Sequence, residues 1–385
     1  MKNYAKNGYR VIACAYKAIE GTDESANSLS RQHFESDLVF LGFIAFENKL
    51  KPETIPVLKQ LVNADLKIAM VTGDNILTAI SVSRDCGIIK SDDKVYHPRS
   101  FESNCMILSP IDSDEGLTEL ELATVQILDS PIACSGDYLD SILSNLNDDL
   151  LRCFLSNCNI FGRMSPNQKR KLVEAYQKLG ESICFCGDGA NDCAALMAAD
   201  VGVSLSQAES SVAAPFTSNI CNISCIPKLI MNGRSSLVTA FVSFKFMSLY
   251  SIVQFTSLCL LYTFGSSLTD WQFIYMDLIL ILPLGILINQ YGPSTELTPH
   301  RPTTKLISRP VLWSISVQMI LQGIFQCLMF YLTRLNFPAT PFSEGPNVMN
   351  IEATSLSLFS IFIYVVQAMI FSEGRPHRQA FYCKN

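Results

Sequence analysis

The sequence predicts an α/β domain built on a mostly parallel sheet, followed by an all-α bundle of four membrane-spanning helices. Two observations support this fold class. Up to about Pro227, short apolar runs alternate with polar segments in a repeated β-α-β order. After Gly233 the chain contains four long apolar stretches, and the 385 residues as a whole are 49% hydrophobic and only 17% charged. The net charge is −6 without a long basic run, so the composition gives no support for nucleic-acid binding.

The first elements follow from runs of apolar residues and from the turn residues between them. In chain order we predict a strand within residues 8–17, a polar connector at 20–37, a strand at 38–46, a helix at 52–64, a strand at 66–71 and a helix from Asn75 to about Cys86. Residues 91–123 are polar and show little pattern, so we predict a loop-like insertion there.

The remaining elements of the soluble part are shorter. In chain order we predict strands at 124–128 and 132–135, a helix at 138–146, a helix from Pro166 to Leu179, a strand at 182–186, a helix from about Asn191, and strands at 201–204 and 219–223. Ser165 is the expected N-cap of the helix that begins at Pro166. The strand at 182–186 is continuously apolar, which predicts a buried strand.

A turn rich in glycine and carboxylates follows that strand. Gly187 and Gly189 allow the backbone to turn tightly, and Asp188 and Asp192 lie where open α/β sheets usually place their chemistry. Hard oxygen ligands at such a position suit Mg²⁺ and, through it, a phosphoryl group. The alternative is a strand-to-helix turn capped by Asn191 and the carboxylates, and the turn by itself does not decide between the two.

Polar or charged side chains also lie at the end of another predicted strand and at the start of another predicted helix. The strand at 66–71 ends in Thr72, Gly73 and Asp74, which gives a second strand-turn-helix with a hydroxyl and a carboxylate at the turn. Lys169 lies in the first turn of its helix, where a cation gains nothing from the helix dipole. A functional role would explain this lysine, and an ordinary exposed lysine is the alternative.

The chain has 14 cysteines, and none falls in the segments assigned below to the far side of the membrane. We therefore expect reduced thiols. Cys184 with Cys186, and Cys221 with Cys225, are close enough in sequence for a metal site. Without a nearby histidine, small core residues are the favoured interpretation of the first pair.

Four apolar stretches are each near the roughly 20 residues that span a bilayer. The predicted spans are residues 244–264, 271–290, 311–332 and 354–371. The loop at 291–310 carries three positive residues and the tail after 371 carries three, whereas the loops at 265–270 and 333–353 carry none and one. This count places the soluble part, the middle loop and the tail in the cytosol.

Asp277 is the one carboxylate within these spans. An acid in hydrocarbon costs at least about 2.5 kcal/mol by insertion scales, so it should face a polar path or a partner. We favour a transport site, which Gln254 could share, over a structural hydrogen bond between helices. Gln318, Gln322 and Gln326 lie four residues apart on one face of the third span, where interhelical hydrogen bonding is the favoured role.

The motifs together resemble a known family. Before the apolar stretches the chain contains, in order, Met70-Val71-Thr72-Gly73-Asp74-Asn75, Met164-Ser165-Pro166-Asn167-Gln168-Lys169 and Gly187-Asp188-Gly189-Ala190-Asn191-Asp192. This order resembles the C-terminal part of a P-type cation-transporting ATPase, whose phosphorylation domain has the haloacid-dehalogenase-like Rossmannoid fold. Residues 186–193, 211–218 and 244–255 resemble the class V group, in particular its polyamine-transporter branch.

The resemblance implies a role for each candidate site residue. Thr72 would hydrogen-bond the phosphoryl group, Lys169 would neutralise its charge, and Gly73 and Asp74 would complete the catalytic turn. Asp188 and Asp192 would hold Mg²⁺, with Asn191 in the same shell. Arg10 aligns with an arginine that reaches the phosphates of ATP. Asp277 and Gln254 match positions along the substrate path of the polyamine branch.

One departure from the family is important. The family's nucleophile is the Asp of an Asp-Lys-Thr-Gly-Thr motif, which this chain does not contain. No aspartyl-phosphate forms without it. We therefore expect the C-terminal part of an ATP-driven transporter of polyamines or another cation, inactive alone. The alternative is a catalytically silent, membrane-bound module that binds Mg²⁺ and phosphate, or a regulatory truncated isoform.

The resemblance also implies a domain organisation. We predict the end of a nucleotide-binding domain at 1–36, a phosphorylation domain at 37–232, membrane helices at 233–371 and a cytosolic tail at 372–385. The expected cofactors are Mg²⁺ and ATP, and the expected partners are the transported cation, the lipid bilayer and the missing N-terminal part of the same transporter. The expected location is a late endosome, lysosome or other endomembrane.

Overall fold

The structure is a computed structural model. It describes residues 4, 8–18, 31–47, 49–102, 105–111, 120–121, 130–205, 209–337, 350–372 and 374–379. The chain divides into two compact units, residues 1–226 and residues 227–385. The first unit is mixed α/β, and the second contains the apolar helices. This confirms the predicted fold class.

The first unit contains eleven strands within the described residues. They are β1 (Arg10–Tyr16), β2 (Val39–Phe46), β3 (Met70–Val71), β4 (Tyr96–Glu102), β5 (Cys105–Pro110), β6 (Leu120–Glu121), β7 (Ile132–Ser135), β8 (Cys158–Gly162), β9 (Cys184–Gly187), β10 (Val201–Ser204) and β11 (Phe216–Thr217).

The helices of this unit lie between the strands. They are α1 (Arg31–Phe34), α2 (Thr54–Asn63), α3 (Ile76–Asp85), α4 (Gly136–Asn145), α5 (Asp148–Asn157), α6 (Pro166–Lys178) and α7 (Cys193–Ala198). Single-turn 3₁₀ helices occur at Ala190–Asp192 and Glu209–Val212. Side-chain caps explain where three of the α-helices begin. Asn75 caps α3, Asn147 caps α5, and Ser165 with Gln168 forms a capping box on α6.

The strands form two sheets and a separate ribbon. One sheet has the order β11-β10-β9 and is parallel throughout. The other has the order β3-β8-β7-β4-β5-β6, with β3, β8, β7 and β4 parallel and β5 and β6 added antiparallel. β1 and β2 pair with each other as an antiparallel ribbon. The prediction of a mostly parallel arrangement is therefore confirmed for the strands that carry the motifs.

The main core packs against β7 and β8. Leu139 and Ile142 of α4 and Phe154 of α5 are fully buried, and all three join Phe161 of β8 in one cluster. The spacing of three residues between Leu139 and Ile142 places both on the same face of α4. Helix α5 was not predicted from the sequence, although its Asn147 cap and its buried Phe154 are ordinary helix signals.

The loop-like insertion predicted at residues 91–123 is wrong as far as the structure describes it. β4 and β5 form an antiparallel hairpin there, and Met106 and Leu108 are fully buried. The hairpin escaped prediction because Pro98, Arg99 and Ser100 interrupt the alternation of apolar residues in β4. Burial lowers the pKa of His97 in the same strand.

Three other predicted strands have different outcomes. Residues 219–223 form bends and a turn, and the strand of this region is β11 at Phe216–Thr217. The strand predicted at 124–128 lies outside the described residues. The strand at 182–186 is present as β9 but is not buried: Cys184 is exposed, since β9 pairs on one side with β10 and its other edge has no strand partner among the described residues.

The second unit contains four helices that are long and apolar enough to cross a membrane, counted over the described residues. They are α8 (Cys225–Tyr262), a composite helix over Asp270–Asn289, α11 (Arg309–Asn336) and α12 (Ile351–Phe371). The four predicted spans fall within or next to these helices. They make the chain an integral membrane protein.

The composite helix has an irregular centre. It consists of α9 (Asp270–Ile274), a π-helical segment (Tyr275–Ile281) and α10 (Leu282–Asn289). Pro283 has no N–H group and so cannot complete a regular α-helical ladder at this point. The wider turn contains Asp277, and π-helical turns are frequent at functional positions.

The turn after β9 gives a test of the fold. A Cβ atom at Gly187 would lie 2.6 Å from Oδ2 and 2.8 Å from Cβ of Asp192. Gly187→Ala should therefore lower the free energy of unfolding of the first unit by about 1–3 kcal/mol, as overpacking does. Gly189→Ala is the matched control, because its Cβ would approach nothing closer than 3.9 Å.

Both tryptophans, Trp271 and Trp313, lie in the second unit, so their fluorescence does not report on the first. Pulse proteolysis of the whole chain in detergent across a urea series measures the first unit instead. Equal midpoints for the two variants would contradict the close approach at Gly187.

Candidate functional site

The loops that follow β3, β8 and β9 lie at the carboxyl ends of these strands in the first unit. The Thr72 turn is tied to the segment between β8 and α6: the Thr72 N–H donates to the Phe161 carbonyl (2.9 Å), and the Met164 N–H donates to the Thr72 carbonyl (3.0 Å). The predicted motifs around Thr72 and Ser165 are thus held next to each other by backbone hydrogen bonds.

Asp74 belongs to the same turn. Its N–H donates to the Thr72 hydroxyl (3.1 Å), and its carbonyl accepts from the Arg163 N–H (2.8 Å). Arg163 has a positive φ of 52°, a conformation that few residues other than glycine adopt. Gly73 lies at the tip of this turn and is exposed. The turn is therefore fixed by its backbone while the tip stays accessible.

Lys169 and Asp192 form an ion pair inside the unit. The Lys169 Nζ lies 2.7 Å from Asp192 Oδ1, and each residue is only 8% exposed. Lys169 is therefore not an ordinary exposed lysine, which excludes that alternative. Burying two charges costs free energy that only close pairing and hydrogen bonding offset, so the pair fixes α6 to the turn after β9.

The same turn carries Asp188 and Asn191, which are both exposed. Asp192 occupies the space beside Gly187, which explains the glycine at that position. The structure thus brings together Thr72, Gly73 and Asp74 with the start of α6, and Lys169 with the turn that holds Asp188, Asn191 and Asp192. Arg10 begins β1 and pairs with Phe46 through the backbone, but its side chain lies outside the described part.

The donor set of this turn limits the metal it can hold. Among the described residues, no group of three His, Cys, Asp or Glu side chains is arranged to hold a metal ion. Mg²⁺ is usually bound by one or two carboxylates together with water and substrate phosphates, so Asp188 with Asp192 fits that cation and does not form a complete protein cage. Burial raises the pKa of the nearby Cys186 thiol to about 12, and a neutral thiol is a poor metal ligand.

Two open sheet edges flank the site. Within the described residues β3 pairs with β8 alone and β9 pairs with β10 alone. Lys169 follows β8 in the chain and Asp192 follows β9, so their ion pair links the two sheets at the carboxyl ends of their strands. Edge strands with unpaired backbone groups are templates for a further strand.

The second unit holds the predicted membrane site. The Tyr250 hydroxyl of α8 donates a hydrogen bond to Asp277 Oδ1 in the π-helical segment. Both residues line a cleft of about 680 Å³ that also involves Asn289 and Gln290. Gln254 is a neighbour of the Tyr250 hydroxyl but does not line this cleft. Tyr250 was missed, although it lies four residues before Gln254 and so on the same helix face.

Comparison with known proteins now gives the family. A family model described as P-type ATPase, cytoplasmic domain N, matches residues 1–53. The chain is 40% identical over 98% of its length to the vacuolar cation-transporting ATPase YPK9 of Saccharomyces cerevisiae. It is 37% identical over 99% of its length to the polyamine-transporting ATPases 13A3 of Mus musculus and 13A2 of Homo sapiens.

The chain belongs to the type V P-type ATPases. The chain spans 27% of the yeast relative and 35% and 34% of the mouse and human relatives. Within this member of the family, the Thr72, Lys169 and Asp188 motifs all lie in the first unit, and the Asp277 cleft lies in the second.

The Lys169–Asp192 pair gives a second test. Lys169→Met leaves the Asp192 carboxylate buried without a partner, which should lower the free energy of unfolding of the first unit by about 3–5 kcal/mol. Arg170→Met is the matched control, because Arg170 pairs with Glu174 on the exposed face of the same helix, where such pairs are worth about 1 kcal/mol or less.

Pulse proteolysis in urea measures both variants. Adding Asp192→Asn to Lys169→Met removes the orphaned charge and should recover part of the loss, as in a double-mutant cycle. Equal costs for Lys169→Met and Arg170→Met would show that the pair does not hold the site together.

Proposed function

We propose that this chain supplies the phosphoryl-binding and cation-path parts of an ATP-driven transporter that moves polyamines or another cation across an intracellular membrane. Three relatives bear the names of cation- or polyamine-transporting ATPases, which supports the substrate class. The observation that carries the proposal is the buried Lys169–Asp192 pair beside the exposed Asp188. A structural turn does not need a buried ion pair next to an accessible carboxylate.

On this proposal each candidate site residue of the first unit has a specific role. Thr72 donates a hydrogen bond to a phosphoryl oxygen, and Lys169, whose Nζ pairs with Asp192 Oδ1 in this structure, offsets the charge of the phosphoryl group. Asp188 and Asp192 are the residues that would hold Mg²⁺, with Asn191 as a hydrogen-bonding neighbour. Bound there, Mg²⁺ would neutralise charge on the phosphate and orient it.

The nucleophile comes, on this proposal, from outside the chain. The chain has no Asp-Lys-Thr-Gly-Thr motif, while β3 and β9 each offer an open parallel edge at the site. A parallel strand added at these edges would end at the same level as Thr72 and Asp188, because the carboxyl ends of parallel strands lie at one edge of a sheet. We assign that strand, with its aspartate, to the N-terminal part of the same transporter.

Phosphorylation tests this assignment. The chain alone, incubated with Mg²⁺ and radiolabelled ATP, should give no acid-stable label. A chimera that joins the N-terminal part of human polyamine-transporting ATPase 13A2 to this chain should give an acid-stable label that hydroxylamine removes. Lys169→Met or Asp188→Asn in the chimera should lower the labelling rate about 10²-fold or more, as does the loss of other groups that stabilise transition-state charge.

Arg170→Met is the control in the same chimera, because its side chain lies on the exposed face of α6. Label on the chain alone would mean that the nucleophile lies within it. Full labelling of the Asp188→Asn chimera would remove Asp188 from the site. If the chain binds Mg²⁺ and phosphate both alone and within the chimera, but the chimera gives no label, the chain is the silent binding module.

For the second unit we propose that Asp277 binds the transported cation. Asp277 is exposed to a cleft whose lining is mainly apolar and whose other polar side chains are Tyr250, Asn289 and Gln290. Its carboxylate already accepts a hydrogen bond from Tyr250. An acid in the membrane that faces a cleft rather than a cationic partner has negative charge available for a ligand. The charge bias of the loops supports a cytosolic position for the first unit and the middle loop.

Cation-stimulated ATP hydrolysis tests the membrane site. In the chimera, Asp277→Asn should abolish the stimulation by polyamines while the acid-stable label still forms, because the phosphoryl site is in the other unit. Tyr250→Phe should weaken the stimulation, and Tyr262→Phe, at the exposed end of α8, should not. Unchanged stimulation in Asp277→Asn would refute the transport site without affecting the phosphoryl site.

A further inference from the structure

A stripe of buried polar side chains runs along the apolar helix α12. Ser357, Ser360, Tyr364 and Gln367 are spaced by three or four residues on α12, and their exposed fractions are 7%, 2%, 0% and 1%. At about 1.5 Å of rise per residue the stripe is roughly 15 Å long. Polar groups at such depth in an apolar bundle are costly unless they are hydrogen-bonded.

Neighbouring helices supply matching polar groups. Gln326 of α11, which is fully buried, donates from Nε2 to the Val253 carbonyl (3.1 Å) and to the Ser257 hydroxyl (2.9 Å) of α8. The same nitrogen lies 3.4 Å from the Ser360 hydroxyl. Towards the end of α12, the Gln367 Nε2 donates to Oε1 of Gln322 (3.3 Å). These bonds agree with the interhelical role predicted for Gln322 and Gln326.

The hydrogen bonds between helices leave several of these buried polar atoms without a partner. Three buried oxygens have no hydrogen-bond partner in the described part of the chain: Oε1 of Gln326, Oε1 of Gln367 and the hydroxyl of Tyr364. A buried acceptor without a donor costs about 1–3 kcal/mol. The Nε2 atoms of Gln326 and Gln367 are engaged while their Oε1 atoms are not, so these buried acceptors lack a donor within the described part of the chain.

The stripe reaches the carboxylate of the membrane cleft. The ring of Tyr364 lies 5.5 Å from the ring of Tyr250, centroid to centroid, and the Tyr250 hydroxyl donates to Asp277. Tyr364 also lies within electrostatic range of Asp277. We call the set Ser257, Gln322, Gln326, Ser360, Tyr364 and Gln367 the polar ladder.

We propose that the polar ladder binds a short file of water molecules that ends at the Tyr250–Asp277 pair. Water supplies the donors that the three oxygens need, and it also accepts from the tyrosine hydroxyl. A cation is a poor occupant, because the ladder contains no charged residue and Tyr364 belongs to an apolar buried cluster that includes Leu249 and Leu356. The file ends at the Tyr250–Asp277 pair on the side of Tyr364, which does not line the cleft.

This proposal concerns water binding and does not depend on the transport role of Asp277. Radiolytic footprinting of the chain in detergent tests it, because hydroxyl radicals formed from irradiated water oxidise side chains that contact water. In H₂¹⁸O, Tyr364 should take up labelled oxygen. Phe246, equally buried in the same bundle, should not, so it is the dry internal control.

Variants test whether the ladder holds the water. Gln326→Leu with Gln367→Leu removes two acceptors at nearly constant volume and should reduce the oxidation of Tyr364 several-fold. Gln318→Leu is the matched control: it lies on the same helix as Gln326 but outside the ladder, and should leave Tyr364 oxidation unchanged. Size-exclusion profiles identify any variant that does not fold, and the wild-type comparison of Tyr364 with Phe246 stands without the variants.

Two results would overturn the proposal. Tyr364 as unreactive as Phe246 in the wild-type chain would mean that the ladder is dry and only joins helices. Tyr364 oxidised equally in the folded double variant and the wild type would mean that the glutamines do not hold the water.

Discussion

The buried ion pair between Lys169 and Asp192 is the interaction on which the first unit depends. It joins a helix that follows one sheet to a turn that follows the other, at the end of the strands where the motifs lie. Two charges removed from water are stable only in close contact, so neither α6 nor the turn can move independently. Asp192 in turn requires the glycine at Gly187, and the exposed Asp188 is held four residues away on the same turn.

The second unit handles polar groups differently. Asp277, in the irregular centre of its helix, opens to a cleft, whereas the described polar residues that are buried in α11 and α12 are uncharged. Charge in a low-dielectric interior is far more costly than an amide or hydroxyl, which explains the division. The backbone around Asp277 is irregular because of the π-helical segment and the proline that follows it. Membrane helices tolerate an irregular backbone where it lies next to a cavity.

Much of this arrangement was predictable from the sequence because it depends on local patterns. The β-α-β order, the four apolar helices and the glycine-carboxylate turns are each encoded within about 20 residues. The contacts that decide the site are not local: Lys169 and Asp192 are 23 residues apart, and Tyr250 and Asp277 are 27 apart. The exposure of Cys184 was mispredicted for a related reason, since an apolar run predicts a strand but not whether both of its edges are paired.

The ion pair also bears on how the proposed site would work. On the proposed function, a phosphoryl group would bind next to the carboxylates of the turn after β9, and a divalent cation there would offset the repulsion between the like charges. Lys169 cannot serve Asp192 and a phosphoryl group equally well at close range. An arriving phosphate would draw the ammonium away from Asp192 and free that carboxylate for Mg²⁺. On the function proposed above, the Lys169–Asp192 pair is therefore the arrangement of the site without phosphate, and it keeps both charged groups neutralised inside the unit.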